Sequence, residues 1–224
     1  MSELAIPSAK SPSARDKLLA AALEVIRTQG YSATTVDDLC RAAGVTKGAF
    51  FHHFDSKEAL AVAAADAWSQ TTGALFAAAA YHDHADPLDR VLGYIDFRGS
   101  LLTGPVEAFT CLVGTMVQEA FATSPAIRAA CEASISGHAR TLEADIDEAL
   151  SAHGVLGVSA SSLALHTQAV LQGAFILAKA RGGPEAAADS VIHLKRYFTL
   201  LFRSPEPERS PGCPTSPAVS SGTN

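Results

Sequence analysis

Aromatic side chains are scarce in this 224-residue chain, at 7%. β-branched residues seldom cluster, and no segment alternates apolar and polar residues as a half-buried strand does. A sandwich or barrel is thereby excluded, and the expected fold class is all-α. No apolar run approaches the roughly 18 residues of a membrane span, and no charged-then-apolar leader opens the sequence. A cytoplasmic protein without a membrane partner is expected. The four cysteines, Cys40, Cys111, Cys131 and Cys213, are scattered and form no CxxC pair. They read as free thiols in a reducing compartment, not as a disulfide frame or a zinc site. His82-Asp83-His84 supplies too few ligands for a metal, with no Cys or further His cluster adjacent. No Ser-His-Asp set, glycine-rich phosphate loop or HExxH motif supports an enzyme, so no cofactor is expected. There is no internal repeat.

Helix-forming apolar bulk is plentiful. Hydrophobic residues make up 48% of the chain. Many are alanine, which favours helix without adding volume. The net charge of −6 argues at first against a nucleic-acid partner. Its distribution changes the reading. Residues 1–60 hold seven cations and seven anions, while the remainder holds ten and sixteen. Phosphate binding depends on where a few cations sit, not on the sum.

Periodicity and caps predict about nine helices. A Ser/Pro/Ala-rich arm spans 1–13. The first helix runs over 14–29 and ends at Gly30. A second starts after Thr34 or Thr35, with Asp37 and Asp38 favouring its dipole, and a third covers 47–53. The fourth begins at Asp55-Ser56, with Asp55 and Glu58 as a capping box, and continues to about residue 80. After a loop over 81–87, further helices are expected over 87–102, 105–122, 125–153, 159–180 and 184–203. Ser124-Pro125 marks the start of the longest. The Pro/Ser-rich tail, 204–224, has no periodicity and is expected to be disordered.

The densest signal is TVDDLCRAAGVTKGAFFHHFDSKEAL, from Thr35 to Leu60. Val36, Leu39, Cys40 and Ala43 recur at helical spacing, Gly44-Val45 turns the chain, and Thr46 caps Lys47 to His53. Two short helices joined by such a turn pack at a steep angle, and the second projects into the DNA major groove. At that helix's start Lys47 offers a cation to phosphate or guanine. Gly48 permits close approach, and Ala49 offers a methyl. His52 and His53 can donate to phosphate, and Lys57 opens the next helix, where its charge and the free N–H groups favour phosphate.

This stretch closely resembles the DNA-binding motif of the TetR family of bacterial transcriptional repressors, through its AGV turn, KG pair, HHF and SKEAL together. The motif covers about the first quarter of the chain. The resemblance implies a helix-turn-helix head over 14–60 and a helical ligand-binding and dimerisation body over 61–203. It places Thr35, Thr46, Lys47, Gly48, Ala49, Phe51, His52, His53 and Lys57 at double-stranded DNA. Phe51 departs from the pattern, because the family commonly carries Tyr there with its hydroxyl on a phosphate.

The resemblance also implies a pocket for a small-molecule effector. Trp68, Tyr94, Phe97, Phe109, Cys111, Met116, Glu119, His138 and His166 are the candidates, with Phe76 and Gln118 beside them. Few of these are cations, which points to a largely uncharged or electrophilic effector. Cys111 stands near the start of a predicted helix, where the dipole favours thiolates, in a segment resembling that of electrophile-sensing members. The last two helices are apolar on several faces. Val170, Gly173, Ala174, Leu177, Leu194 and Phe198 are the residues expected at a homodimer interface. The expected function is a dimeric, ligand-responsive repressor on a palindromic operator. The alternative is a helical carrier or interaction module that does not bind DNA, for which Phe51 is the only support.

Overall fold

The structure, a computed structural model, describes residues 12–203. The expected tail and Cys213 lie outside the described residues, as does the expected arm up to residue 11. Ten α-helices follow one another: α1 (Ala14–Gln29), α2 (Val36–Ala43), α3 (Lys47–His53), α4 (Lys57–Ala77), α5 (Pro87–Ser100), α6 (Val106–Phe109), α7 (Leu112–Ala120), α8 (Pro125–Ala152), α9 (Ala160–Arg181) and α10 (Glu185–Leu201). A 3₁₀ turn, Ala80–Asp83, occupies part of the expected loop after α4. It holds His82, whose Nε2–H donates to the Phe76 carbonyl at 3.1 Å. No strand occurs among the described residues.

Local chemistry sets most helix starts. Ser13 and Asp16 form a capping box on α1, and Thr35 and Asp38 form another on α2. Thr34 instead turns inward, buried, and donates to the Gly30 carbonyl at 2.6 Å. Gly44 ends α2 at φ 63°, a left-handed conformation that glycine adopts without a Cβ penalty. The expected Asp55–Glu58 box is not formed. Ser56 caps α4 by accepting from the Ala59 N–H at 3.0 Å, which frees the Glu58 carboxylate to accept from Ser124.

The single helix expected over 105–122 is two, because Thr110 and Cys111 are extended. Cys111 caps the second piece, its Sγ accepting from the Gly114 N–H at 3.4 Å. This break accounts for the tenth helix.

Two main cores hold the chain together. One gathers Leu18, Ile26, Leu39, Phe50, Phe54 and Leu60 with Leu112, Met116 and Ile127. Head helices α1–α3 thus share one core with α7 and the start of α8. The second core joins α4, α5, α8, α9 and α10 around Tyr94, Ile146, Leu171 and Phe198. No break marks residue 60, since α4 runs from the first core into the second.

Candidate functional site

Helix α3 is pinned on one side and open on the other. Phe50 is fully buried and lies edge-on to Phe51, their ring centroids 5.1 Å apart. Thr46 caps the helix by accepting from the Ala49 N–H at 3.1 Å. The opposite face carries Lys47, Gly48, Phe51 and His52, all exposed, with Ala49 and His53 half-buried at its margins. Phe51 is 50% exposed, so its ring projects from the head instead of packing within it.

Two expected cations are engaged within the head. Lys47 pairs with Asp37 at 3.0 Å, both well exposed. Such a surface pair is worth about 0–1 kcal/mol, so a phosphate can displace the carboxylate. Lys57 is held more firmly. Its Nζ donates to the Tyr31 and Thr34 carbonyls, each at 2.9 Å, and lies 4.2 Å from the centroid of the Tyr31 ring. Burial pulls its pKa below the ordinary lysine value. It staples the α1–α2 turn, leaving one N–H donor for a phosphate. The Thr35 hydroxyl is likewise occupied, donating to Asp38 at 2.6 Å.

Behind the head, helices α4, α5, α6, α7, α8 and α9 enclose a small hollow of about 50 Å³. Trp68, Phe76, Phe109 and Phe175 supply apolar walls, and Cys111 and His138 border it. Four of the nine expected effector residues therefore meet here: Trp68, Phe109, Cys111 and His138. Tyr94 and Phe97 stand one layer back, each packed on the Phe76 ring. Three others lie elsewhere. Met116 is fully buried in the head-facing core. Glu119 reaches the α1–α2 turn and accepts from the Ser32 N–H at 2.6 Å. His166 is exposed on the outer face of α9, its ring 5.1 Å from that of Tyr197. The resemblance put these three among the pocket candidates, but their helices present them to other neighbours.

The polar wall of the hollow was largely missed. Arg98, Gln168 and Gln172 line it. They sit among apolar residues at helical spacing, and a polar residue inside such a stripe was the available signal. One hydroxyl organises most of this wall. Tyr94 Oη accepts from Arg98 Nε at 3.0 Å and from Gln168 Nε2 at 3.2 Å. A phenol has two lone pairs and one proton. Its proton therefore goes to His138 Nε2, 2.9 Å away, and that nitrogen must be unprotonated. Burial, reinforced by the Arg98 charge, depresses the His138 pKa to about 3. The imidazole is neutral at ordinary pH, and among these groups only Arg98 is charged.

A wider hollow of about 660 Å³ lies between α5 and α10. It is an open groove on the outer surface, bordered by Asp96 and Lys195, which pair with each other, and by Arg196, Thr199 and Arg203. We assign the enclosed hollow, and not this groove, as the candidate effector site.

Three contacts tie the enclosed site to the head. Arg27 of α1 donates through Nη1 to the Ala108 carbonyl of α6 at 3.1 Å, with its guanidinium carbon 5.2 Å from the centroid of the Trp68 ring. Glu119 of α7 holds Ser32, and Ser124 before α8 donates to Glu58 of α4.

The expected dimer residues divide. Ala174, Leu194 and Phe198 are buried in the protomer's own core, at 2%, 3% and 0% exposure, so they present no surface to a partner. Val170 and Gly173 are half-buried, and Leu177 is exposed. The exposed large apolar residues of α9 and α10 are Leu165, Ile176, Leu177, Ile192, Tyr197 and Leu200. No helix among the described residues is long and apolar enough to cross a membrane, and no cluster of three metal-ligating residues occurs among them.

Comparison with known proteins agrees with this geometry. Residues 18–64 match the family described as bacterial regulatory proteins, tetR family. Residues 87–186 match the transcriptional regulator LmrA/YxaF-like C-terminal domain. The transcriptional regulator AcuR of Cereibacter sphaeroides is 31% identical over 117 residues, which cover 52% of this chain and 53% of AcuR. The chain thus spans about half the length of that relative, and about a quarter of that of SrpR of Pseudomonas putida. A TetR-family regulator from Agrobacterium tumefaciens superposes with a TM-score of 0.72 at 21% identity, over 82% of this chain and 96% of that one. A TetR transcriptional regulator from Chloroflexus aurantiacus gives 0.70 at 28% identity, over 83% and 94%. The head with its exposed third helix, the helical body behind it and these matches have one meaning: the chain belongs to the TetR family of bacterial transcriptional regulators, which are not enzymes.

Proposed function

We propose that this protein is a homodimeric repressor that binds a near-palindromic DNA operator through α3 and is released when a small effector enters the enclosed hollow. The observation that carries the reading is the exposed face of α3, with Lys47, Gly48, Phe51 and His52 presented together on a helix anchored by Phe50. One such helix touches few base pairs, too few for useful specificity in a genome. Two helices related by a two-fold axis read half-sites about 34 Å apart, or a multiple of that. The exposed apolar face of α9 and α10 is where we place the second copy. The acidic body discourages non-specific wrapping of DNA.

The test is a fluorescence-anisotropy titration with duplex DNA from upstream of the protein's own gene, against a scrambled duplex, at several salt concentrations. Preferential binding, with Lys47→Ala reducing the salt slope by about 1, is expected. Equal affinity for both duplexes would favour the carrier or interaction-module alternative.

A second reading of the effector rests on Cys111, whose thiol borders the hollow at the start of α7. An electrophile that alkylates this sulfur would then be the releasing signal. Equal release of DNA from the unaltered protein and from Cys111→Ser would remove that reading.

A further inference from the structure

Arg98 is the least explained charge near the hollow. Its guanidinium carbon lies 4.6 Å from the Phe76 ring centroid and 5.6 Å from that of Tyr94. Only its Nε has a protein acceptor, Tyr94 Oη. A guanidinium carries five N–H donors, so four remain on the two terminal nitrogens. No carboxylate pairs with it among the described residues. The ion pairs that do form engage Arg41, Lys47, Arg90, His153 and Lys195. Other cations near the hollow have acidic neighbours. Glu24 and Glu107 act on Arg27, and Glu119 acts on Lys179. Arg98 stands apart from this pattern.

The surrounding wall offers no internal remedy. The Tyr94 hydroxyl is fully engaged with Arg98, Gln168 and His138, so it cannot turn a further lone pair toward the guanidinium. His138 is neutral and contributes no opposite charge. Gln172 borders the same space, and its amide makes no hydrogen bond to protein among the described residues. It rests against Gly114, where any Cβ would collide with it. Two half-buried polar groups without a protein partner on their free ends, one a cation, thus converge on an aromatic hollow. A half-buried charge without a partner is costly. Planar guanidinium forks match carboxylates in a bidentate geometry.

We infer that the effector carries a single carboxylate, held by the terminal nitrogens of Arg98 and assisted by Gln172, with a short apolar body against Trp68, Phe109 and Phe175. This rests on the enclosed hollow being the effector site and names the ligand class it takes. It departs from the largely uncharged or electrophilic effector expected from sequence, because the residues behind that expectation omitted Arg98. The hollow of about 50 Å³ is far below the roughly 300 Å³ of a drug-sized pocket. The ligand is therefore short, or it displaces Gln172. That side chain also borders a neighbouring cleft that shares Cys111 and Phe175, so its movement would join the two spaces.

The experiment uses the full-length protein and four probes: butyrate and benzoate, with butyramide and benzamide as uncharged counterparts. Thermal shift gives affinity at fixed ionic strength and neutral pH. The carboxylates are expected to raise Tm, with the amides about tenfold weaker or more. Arg98→Gln should bring the acids down to the level of the amides, and Arg98→Lys should keep part of the preference. Equal affinity for acids and amides in the unaltered protein overturns the carboxylate inference and leaves the pocket standing. A preference for acids that survives in folded Arg98→Gln also overturns it, because the anion then sits elsewhere. No response to any of the four overturns the effector-pocket reading, and this inference with it.

Discussion

Phe51 projects its ring from the recognition helix where the family pattern carries a phenol. If that face meets the DNA backbone, Phe51→Tyr should tighten operator binding. A hydrogen bond to a charged acceptor is worth about 1.5–3 kcal/mol at best, less where water competes. Anisotropy titration measures the gain, and unchanged or weaker binding would mean that the ring faces a base. The lysines of the head should behave differently from one another. Lys47→Ala should weaken DNA binding and change stability by no more than about 1 kcal/mol, since its pair with Asp37 is exposed. Lys57→Ala should lower Tm as well, because two loop carbonyls lose their donor; an unshifted Tm would show that the staple contributes nothing. His138 predicts a pH effect of definite sign. Its pKa falls from 6.5 to about 3 on folding, mainly through burial. Between those values the unfolded chain binds a proton that the native site refuses, so stability declines as pH falls through that window. His138→Gln should flatten this decline in a pH series of melting curves, and parallel curves would refute the neutral imidazole. At this scale the sequence anticipated the exposed face of α3, because short helices with strong caps leave few orientations open. It revealed the hollow poorly. Trp68 and His138 were legible as large inward groups, whereas Arg98 and Gln172 offered only a polar residue inside an apolar stripe, and their lack of a partner has no sequence signature.

Helix boundaries followed the caps wherever the cap was local. Thr35, Thr46 and Ser124 each bind an N–H three residues on, so spacing along the chain sufficed to find them. The break between α6 and α7 has a local cap as well, Cys111, but a thiol is not among the residue types that mark a helix start in a sequence. No glycine or proline occupies 110–111, and the extended pair is held by distant groups: Arg27 on the Ala108 carbonyl and Gln172 against Gly114. Buried Thr110, whose Oγ1 has no hydrogen-bond partner, shows that the kink carries a local penalty. The faces of α9 and α10 were misjudged for a related reason. Both helices are apolar on more than one face, and periodicity cannot tell which stripe their own core takes. The core took Ala174, Leu194 and Phe198, which leaves Leu165, Ile176 and Leu177 outside. Leu177→Glu should therefore yield monomers without unfolding the chain, and operator affinity should fall because one head reads one half-site. Light scattering and anisotropy on the same sample test this; an intact dimer would move the interface elsewhere.

Across the whole molecule, head and body do not behave as beads on a string. They share one core, and α7 grips the α1–α2 turn through Glu119 and Ser32. A ligand that displaces Gln172 presses on Gly114 of α7, and α7 is bound to the turn that precedes the helix-turn-helix. Glu119→Ala should loosen that link. DNA binding without effector should persist, while the effector concentration needed for release should rise several-fold; an unchanged release curve would show that the signal travels through the Arg27 or Glu58 contacts instead. The expected division at residue 60 was read from where the motif stops, and a motif's edge says nothing about whether the core behind it is continuous. One further consequence lies in Trp68, the only tryptophan in the chain. Its indole faces the hollow on α4 and meets the Arg27 guanidinium from α1. Emission excited selectively from this indole has one source, positioned where cargo and reading head come together. The protein therefore carries an intrinsic optical gauge: entry of a molecule into the hollow and withdrawal of α1 from it would each change the colour or brightness of that light, and rapid mixing could establish which comes first without a label.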